Sequence, residues 1–335
     1  MTEILVIGGG YGGITAAKAL DDVADVTLVE PREVFVHNVA ALRAVADPDW
    51  AERIFLPYDR LLSRGRVVRD RAVRVTAAGA DLASGAHLDA DVIILATGSA
   101  MPFPVKPEPH DRDRLAATHR ALSDAGHVLL LGAGAVGIEF AGEIKAAWPA
   151  VEVTIADPAP DILGGRFPDE FRASVREQLA ALGVRLLLGT GAGQAPAADL
   201  TFACYGASVD SSYLGDDLAA ARQPDGRLAV TPQLRLPGHE RVFAIGDLTA
   251  VPELKQARLA QAHAEVVAAN VRALLAGGPL ADYTPAPDAI VLPLGPKGGA
   301  SYAPEVGVLG PAETAGIKAT MFIESYEEML GLARG

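Results

Sequence analysis

The start of the chain combines a strand pattern, a glycine-rich turn and a helix pattern without a break. An apolar run over residues 4–8 leads into the sequence Gly-Gly-Gly-Tyr-Gly-Gly, and residues 14–20 have the spacing of a helix. This order is the context in which a G-x-G-x-x-G turn binds a dinucleotide. Gly8 allows the tight turn, Gly10 lets the backbone approach a pyrophosphate, and Gly13 lets the helix pack closely on the strand.

A second strand pattern, over residues 25–30, ends in a carboxylate. Glu30 follows Gly13 at close to the spacing, about 20 residues, at which an acid commonly contacts the adenosine ribose. Glycine-rich turns also occur in many α/β proteins that bind no nucleotide, so the turn alone leaves that alternative open. The strand, the helix and the terminal acid together favour a dinucleotide site.

The same unit appears again in the middle of the chain. A strand pattern beginning at residue 127 leads into a turn with Gly132, Gly134 and Gly137 in the three glycine positions, and a strand pattern over 151–157 ends in Asp157. A chance match of both copies, each with its acid, is improbable. The sequence therefore predicts two bound dinucleotides.

Asp157 bears on which nicotinamide dinucleotide the second unit binds. A carboxylate at this position can accept hydrogen bonds from the ribose hydroxyls of NADH, and its charge would oppose the 2′-phosphate of NADPH. NADPH sites commonly place an arginine nearby, but no base occurs between Asp157 and Arg166. The pattern predicts NADH over NADPH; the alternative is that Asp157 only caps the turn that follows it.

Composition and charge disfavour several classes of function. The chain has 335 residues, 21% of them charged, and its net charge of −13 disfavours non-specific binding to nucleic acid or anionic lipid. The single cysteine, Cys204, excludes an internal disulfide and a redox cysteine pair. The longest uncharged apolar stretch, residues 128–138, is too short to span a bilayer, and no charged-then-apolar leader precedes the first strand. We expect a cytoplasmic protein, and the sequence indicates no metal site.

The remaining patterns complete an α/β fold with two Rossmann-like dinucleotide-binding domains and a small C-terminal α+β region. We place the domain boundaries at 1–103 with 232–279, at 104–231 and at 280–335. The patterns predict helices over 31–44, 169–183, 252–276 and 320–332. They predict strands over 91–98, 184–188, 200–204 and 241–247. They also predict a small antiparallel insertion over 66–95 and a linker over 99–109.

Four further segments resemble one protein family. They are LATG at 95–98, AIGD at 244–247, HNVAALRA at 37–44 and GIEFAGEIK at 137–145. With the two glycine turns, they resemble the two-dinucleotide-binding flavoproteins of the pyridine nucleotide-disulfide oxidoreductase family. That family includes the ferroptosis suppressor proteins, relatives of apoptosis-inducing factor and type II NADH dehydrogenases. The resemblance covers nearly the whole chain and weakens after Tyr283.

The resemblance implies FAD on the first glycine turn and NADH on the second. Glu139 matches a glutamate beside the nicotinamide, and Lys255 matches a lysine at the start of a helix whose positive end faces the flavin. From the residues alone, an alternative interpretation of Arg43 is a solvent-exposed arginine on a helix. The implied cofactor-binding residues are Gly8, Gly10, Gly12, Gly13, Glu30, Arg43, the backbone near Val73, Thr97, Gly98 and Asp247 for FAD, and Gly132, Gly134, Gly137 and Asp157 for the nicotinamide dinucleotide.

The resemblance also implies hydride transfer from NADH to FAD, followed by electron transfer to an acceptor. Because no cysteine pair exists to relay electrons, we expect direct transfer to a quinone or another small acceptor. Two alternatives stay open: a ferredoxin or rubredoxin reductase, and an NADH-responsive sensor that changes its oligomeric state, for which a homodimer is one state. The lipidation signal of the family's mammalian relative is absent, and Glu324, Glu327 and Glu328 make the end of the chain acidic. We therefore expect peripheral membrane contact at most.

Overall fold

The computed structural model describes residues 2–332. The strands are β1 (Glu3–Ile7), β2 (Asp25–Val29), β3 (Val34–Val36), β4 (Phe55–Pro57), β5 (Arg66–Val68), β6 (Ala72–Thr76), β7 (Gly79–Leu82), β8 (His87–Asp89), β9 (Val92–Leu95), β10 (His127–Leu131), β11 (Glu152–Asp157), β12 (Val184–Leu188), β13 (Leu200–Ala203), β14 (Val242–Ala244), β15 (Ile290–Leu294), β16 (Gly298–Ala303) and β17 (Gly307–Leu309). The helices are α1 (Tyr11–Leu20), α2 (Ala41–Ala46), α3 (Pro48–Arg53), α4 (Arg112–Asp124), α5 (Ala135–Ala147), α6 (Asp169–Ala181), α7 (Ala257–Ala276), α8 (Pro311–Ile317) and α9 (Ile323–Met329).

The first parallel sheet draws on two separate parts of the chain. Its strand order is β14-β9-β1-β2-β5, and every neighbouring pair is parallel. Side chains alternate along β1: Ile4 and Val6 belong to one apolar core together with α1 and α7, whereas Leu5 and Ile7 face a second core. Burial on both faces explains why β1 reads as an unbroken apolar run.

The second parallel sheet repeats the first. Its order is β12-β11-β10-β13, and β10 lies between β11 and β13 as β1 lies between β2 and β9. In both sheets the glycine turn therefore follows the strand at which the strand order reverses. The chain adds the next strands on one side of it and later returns to add a strand on the other side. Such a switch point is where doubly wound sheets bind ligands. The predicted fold class and internal repeat are confirmed, while the domain boundaries stay predictions.

A third sheet, antiparallel β15-β16-β17, packs on α5. The contact depends on Gly142, because a Cβ atom there would lie 2.5 Å from the Cα of Leu294. The sheet and the two short helices α8 and α9 form the C-terminal region. Within residues 2–332, none of the helices has the length and apolar character that crossing a membrane requires.

Several predicted elements differ in detail. The helix predicted from residue 252 begins at Ala257, since Gln256 is extended and residues 252–256 are non-helical, with a bend at 252–253. The helix predicted over 31–44 is partly strand, because β3 pairs with β4 and only α2 is helical after a short 3₁₀ turn. Of the predicted antiparallel insertion, β5 is instead a parallel edge strand beside β2. The final predicted helix is shorter than predicted, since only α9 is helical there.

Candidate functional site

One large cavity, of about 1890 Å³, is lined by residues from both parallel-sheet units and from the third sheet. Small-molecule pockets commonly measure roughly 300–1,000 Å³, so this cavity has room for more than one ligand. The first turns of three helices reach its wall through Tyr11 of α1, Ala135 of α5 and Ala257 of α7. The cavity therefore extends from the first glycine turn to the start of α5, whereas Gly132, Gly134, Gly137 and Asp157 are not on its wall among the described residues.

The first glycine turn is sterically closed except on its cavity side. Gly8 has a φ of 104°, and a Cβ atom there would lie 2.5 Å from the carbonyl oxygen of Ala96. A Cβ atom at Gly13 would lie 1.8 Å from the carbonyl oxygen of Gly8, so the helix packs against the strand as predicted. At Gly10, by contrast, a Cβ atom would meet nothing within 4 Å. Gly10 lines the cavity, so that open space faces a ligand.

The second glycine turn has the same geometry. Gly132 has a φ of 114°, and a Cβ atom at Gly137 would lie 2.0 Å from the carbonyl oxygen of Gly132. A Cβ atom at Gly134 would again meet nothing within 4 Å. The three glycine positions of the two turns therefore have the same backbone role.

The two strand-terminal acids also occupy equivalent positions. Glu30 accepts a hydrogen bond of 2.6 Å from the backbone N–H of Gly9, and Asp157 accepts one of 2.7 Å from the backbone N–H of Ala133. Each acid thus fastens the end of its strand to the glycine turn. Glu30 also pairs with Arg32 at 2.8 Å. Burial alone would raise the pKa of Glu30, but the hydrogen bond and charge of Arg32 outweigh it and the pKa lies below its usual value.

Asp157 has a further local contact. Its second oxygen accepts a hydrogen bond of 2.7 Å from the backbone N–H of Ala159, so the carboxylate does cap the following turn. The same carboxylate still holds the glycine turn, so capping is only part of its role. Its contact with the ribose stays a prediction.

Asp247 lies at the cavity wall within a small polar cluster. The hydroxyl of Ser99 donates to Asp247 Oδ2 at 2.6 Å, and Lys106 Nζ lies 3.2 Å from the same oxygen. Lys106 also donates to the carbonyl oxygen of Ser99 at 2.8 Å. Lys106 was not predicted, because it lies in the proline-rich segment that the sequence indicates only as a linker.

Lys255 lines the cavity immediately before α7. Its ammonium donates a hydrogen bond of 2.9 Å to the carbonyl oxygen of Val251. Burial lowers the pKa of Lys255, and the negative charges of Glu253 and Asp247 oppose that change. The predicted position of Lys255 beside the start of α7 agrees with the structure, and its role stays a prediction.

Three other predicted residues differ in their relation to the cavity. Thr97 and Gly98 line the cavity, and the Thr97 hydroxyl lies 3.0 Å from that of Tyr213. Val73 is 49% exposed; among the described residues, its neighbours Arg71 and Ala72 line the cavity and Val73 itself does not.

Arg43 lies on α2 behind the cavity wall and forms a buried ion pair with Glu143 of α5. It is neither the solvated helix arginine of the alternative interpretation nor, among the described residues, part of the wall itself. Its contact with FAD stays a prediction.

Glu139 lies on the cavity wall, one turn before Glu143 on the same helix. Burial raises the pKa of Glu139 to about 7, the charge of Lys318 opposes the rise, and the charge of Glu143 adds to it. A carboxyl group with this pKa can hold or release a proton near neutral pH. Lys318 also lines the cavity and was missed, because nothing near it in the sequence connects it with the glycine turns.

An aromatic cluster near the first glycine turn was also missed. It consists of Tyr11, Phe35, His37 and Tyr326, with ring centroids as close as 4.9 Å. His37 is fully buried and donates a hydrogen bond of 2.8 Å from Nε2 to the carbonyl oxygen of Met321, which joins the C-terminal region to the first unit. Burial lowers the pKa of His37 to about 4, so its ring is neutral. Only the tertiary structure brings residues 11, 37 and 326 together.

A sequence profile of the pyridine nucleotide-disulphide oxidoreductases matches residues 2–264. The chain belongs to that family.

Curated relatives of the chain come from several organisms. Ferroptosis suppressor protein 1 of Xenopus laevis is 32% identical over 329 residues, which cover 89% of this chain and 87% of the relative. Apoptosis-inducing factor homolog B of Dictyostelium discoideum is 28% identical and covers 98% of this chain and 96% of the relative. These similarities extend past the C-terminal end of the family match.

Solved structures show the same fold at lower identity. The sulfide:quinone oxidoreductase of Aquifex aeolicus has a TM-score of 0.82 at 17% identity, covering 98% of this chain and 91% of its own. NDH2 of Plasmodium falciparum, in complex with NADH, has a TM-score of 0.75 at 12% identity, covering 98% and 94%.

Proteins of the pyridine nucleotide-disulphide oxidoreductase family bind FAD and a nicotinamide dinucleotide, and this chain is a flavoprotein oxidoreductase. The first glycine turn fits FAD. In the part of the chain that the structure describes, α1 has no side-chain cap at its N-terminus, so its backbone N–H groups can bind phosphate. Asn38 is on the cavity wall, and its buried Oδ1 has no hydrogen-bond partner, which leaves an acceptor for a ligand donor.

The second glycine turn fits a second dinucleotide. The N-terminus of α5 likewise has no side-chain cap among the described residues. The cavity wall carries eight basic and seven acidic side chains, and several of them pair with each other, as Arg32 does with Glu30 and Lys106 with Asp247. The basic side chains are Arg32, Arg69, Arg71, Lys106, Arg114, Lys255, Arg258 and Lys318.

Despite the disulphide in the family's name, the chain has a single cysteine. Cys204 is buried beneath the second glycine turn, where its Cβ would lie 3.4 Å from a Cβ atom placed at Gly137. Burial raises the pKa of its thiol to about 12, so the thiolate form is strongly disfavoured. Cys204 packs the second unit and lacks the properties of a redox cysteine.

Proposed function

We propose that the chain is an FAD-dependent NADH oxidoreductase that passes electrons directly to a quinone or a similar small acceptor. The observation that supports this best is the large cavity that extends from the first glycine turn to the start of α5 and to the C-terminal region. When bound, FAD accepts a hydride from NADH and passes electrons to an acceptor. The single buried cysteine leaves no thiol relay between those two steps.

The FAD side would use the first unit and the start of α7. The backbone at Gly8, Gly10, Gly12 and Gly13, with the N-terminus of α1, would hold the pyrophosphate of FAD, and Glu30 the adenosine ribose. Asp247 and the start of α7, with Lys255, would lie against the flavin end. The N–H groups of the first turn of α7 have no side-chain cap among the described residues and can stabilise negative charge there.

The NADH side would use the second unit. Gly132, Gly134 and Gly137 would bring the N-terminus of α5 to the pyrophosphate, and Asp157 would accept from the ribose hydroxyls. Glu139 lies farther along α5 at the cavity wall, with a pKa near neutrality. We assign it a proton-holding role beside the nicotinamide.

The choice of acceptor rests on the relatives. Sulfide:quinone oxidoreductase is named for a quinone, and its fold covers 98% of this chain. In the C-terminal region Val306, Ile317 and Phe322 are exposed apolar side chains that line the cavity, as a quinone ring would favour. A ferredoxin or rubredoxin reductase would need a basic docking surface, which a net charge of −13 disfavours.

A steady-state screen tests the acceptor. Purified protein loaded with FAD would be assayed for NADH oxidation with ubiquinone, menaquinone, ferricyanide and ferredoxin. We expect a quinone to be the best acceptor by kcat/KM, and Cys204→Ala to leave its turnover unchanged. A higher kcat/KM with ferredoxin would reject the quinone proposal, and a large loss in Cys204→Ala without loss of FAD would show that a thiol takes part.

An NADH-responsive sensor is the second candidate, since the relative that spans 98% of this chain is an apoptosis-inducing factor homolog. Stopped-flow absorbance separates the two. An enzyme mixed with NADH and then with quinone should return to its oxidised spectrum within its turnover time. A sensor should hold the altered spectrum for minutes and change its oligomeric state by size-exclusion chromatography.

A further inference from the structure

A buried pair of titratable side chains lies directly behind the cavity wall at the start of α7. The side chains of His263, on α7, and Glu253, in the bend before it, are each only 1% exposed, and His263 Nε2 lies 2.8 Å from Glu253 Oε1. A carboxylate withdrawn this far from water is costly unless its surroundings compensate for it. The roles assigned above to cavity residues leave this pair without a function.

Two hydrogen-bond donors contact the second oxygen of Glu253. Its Oε2 accepts hydrogen bonds from the hydroxyl of Tyr283 at 2.7 Å and from the backbone N–H of Ala286 at 3.0 Å. A carboxyl oxygen pair that only accepts has the pattern of an ionised carboxylate. The negative charge is therefore held in place by three segments of the chain: α7, the bend before it and the connector that contains Tyr283.

His263 connects Glu253 to the cavity wall. Its Nδ1 accepts a hydrogen bond of 3.0 Å from the backbone N–H of Gly246. Because Nδ1 is an acceptor, the neutral ring carries its proton on Nε2, facing Glu253. Gly246 has a φ of 68°, lines the cavity and precedes Asp247, so the ring orients the turn that presents Asp247.

The charge of Glu253 also reaches the wall electrostatically. It acts on Lys255, which lines the cavity, together with the charge of Asp247. The first turn of α7 would stabilise negative charge on the flavin side. A fixed carboxylate behind that turn repels such charge and so opposes this stabilisation.

We propose that Glu253 and His263 form a positioning pair that orients the Gly246–Asp247 turn against FAD and lowers the reduction potential of the bound flavin. This inference rests on the proposed function only in taking FAD as the ligand. His263 acts through the N–H of Gly246, and Glu253 acts through His263 and through its charge. Neither side chain is part of the cavity wall among the described residues.

Four variants test the pair. Glu253→Gln removes the charge and keeps the shape, and His263→Ala removes the acceptor for Gly246. In His263→Asn the side-chain Oδ1 can replace Nδ1 as that acceptor without facing Glu253. Asn270→Ala is the matched control, because Asn270 is also buried on α7 and bonded to the connector at Ala281 but lies two turns farther from the cavity.

The first measurements use protein loaded with FAD. We expect Glu253→Gln to raise the midpoint potential of the flavin by about 30 mV, which for two electrons is a tenfold change in the ratio of affinities for reduced and oxidised flavin. We expect His263→Ala to weaken FAD binding by about tenfold, His263→Asn to restore most of it, and Asn270→Ala to lower only the melting temperature.

A measurement without FAD separates this inference from the proposed function. In the apoprotein, hydrogen exchange at the Gly246 amide should be faster in His263→Ala than in wild type and in Asn270→Ala. Failure of the wild type to bind FAD would reject the proposed function, and this exchange rate would then decide the positioning role alone. The pair is purely structural if exchange, potential and FAD affinity in its variants match those of Asn270→Ala.

Discussion

The guanidinium of Arg43 donates three hydrogen bonds, of 2.7–3.0 Å, to the carboxylate of Glu143. The two side chains are 8% and 4% exposed, and they join α2 of the first unit to α5 of the second. Burial raises the pKa of Glu143 and Arg43 opposes the rise, so the carboxylate depends on its partner. The pair therefore connects the two dinucleotide units behind the cavity.

Breaking this pair on one side should be costly. Arg43→Leu leaves the Glu143 charge buried and unpaired, and we expect a loss of about 3–5 kcal/mol in the free energy of unfolding, measured by urea denaturation. The double variant Arg43→Leu with Glu143→Leu should recover most of that loss and stay yellow, because the side chains lie behind the cavity. A folded but colourless double variant would show that the Arg43–Glu143 pair is needed for FAD binding.

Substitutions at Gly10 and Gly134 should separate the two cofactors. A Cβ atom at either position projects into open space, so a valine should leave the fold intact and obstruct only the dinucleotide. We expect Gly10→Val to be folded but colourless, and Gly134→Val to be yellow with at least about a tenfold higher KM for NADH. Circular dichroism and flavin absorbance check both, and a yellow, active Gly10→Val would remove the first turn from the FAD site.

The raised pKa of Glu139 should make stability depend on pH. Below its usual value of 4.5 the folded and unfolded chains both hold the proton, whereas between 4.5 and about 7 only the folded chain does. The contribution of Glu139 to the free energy of unfolding therefore falls as the pH rises through that window. Melting curves at pH 5 and pH 8 should show a smaller fall for Glu139→Gln than for wild type or for the exposed Glu265→Gln.

Asp157 should favour NADH. Loss of the ribose hydrogen bonds and repulsion of the 2′-phosphate together amount to about 1–3 kcal/mol, or roughly ten- to a hundredfold in kcat/KM against NADPH. The next bases along the chain are already paired, Arg166 with Asp288 and Arg172 with Asp161. Asp157→Ser should narrow the preference mainly by weakening NADH.

A second variant controls for the glycine turn, since Asp157 also accepts from the N–H of Ala133. Asp157→Asn keeps an acceptor for that N–H, and it removes the charge together with the acceptor for the N–H of Ala159. It should improve NADPH relative to wild type without loosening the turn. Equal kcat/KM for the two dinucleotides on the wild type would remove Asp157 from the ribose site.

The residues of the two glycine turns could be read from the sequence because their function is local. The strand, the turn and the helix are contiguous, so the spacing of Gly8 and Gly13 alone predicts that the helix packs closely on the strand. The structure agrees, because a Cβ atom at Gly13 would lie only 1.8 Å from the carbonyl oxygen of Gly8. The acids Glu30 and Asp157 lie one strand farther on and could be predicted for the same reason. Repetition of the whole pattern was enough to predict two sheets and two cofactors.

Tertiary structure alone decided which distant side chains meet. Arg43 with Glu143, His263 with Gly246, and Lys318 on the cavity wall beside Glu139 are brought together by sheet packing, and no periodic pattern links such positions. The helix predicted from residue 252 was wrong at its start, where the bend that contains Glu253 directs its carboxylate to His263 and Tyr283 instead. The sequence by itself determined the backbone framework for the cofactors, because that framework depends on contiguous residues. The electrostatics around it depend on long-range burial, which only the folded chain determines.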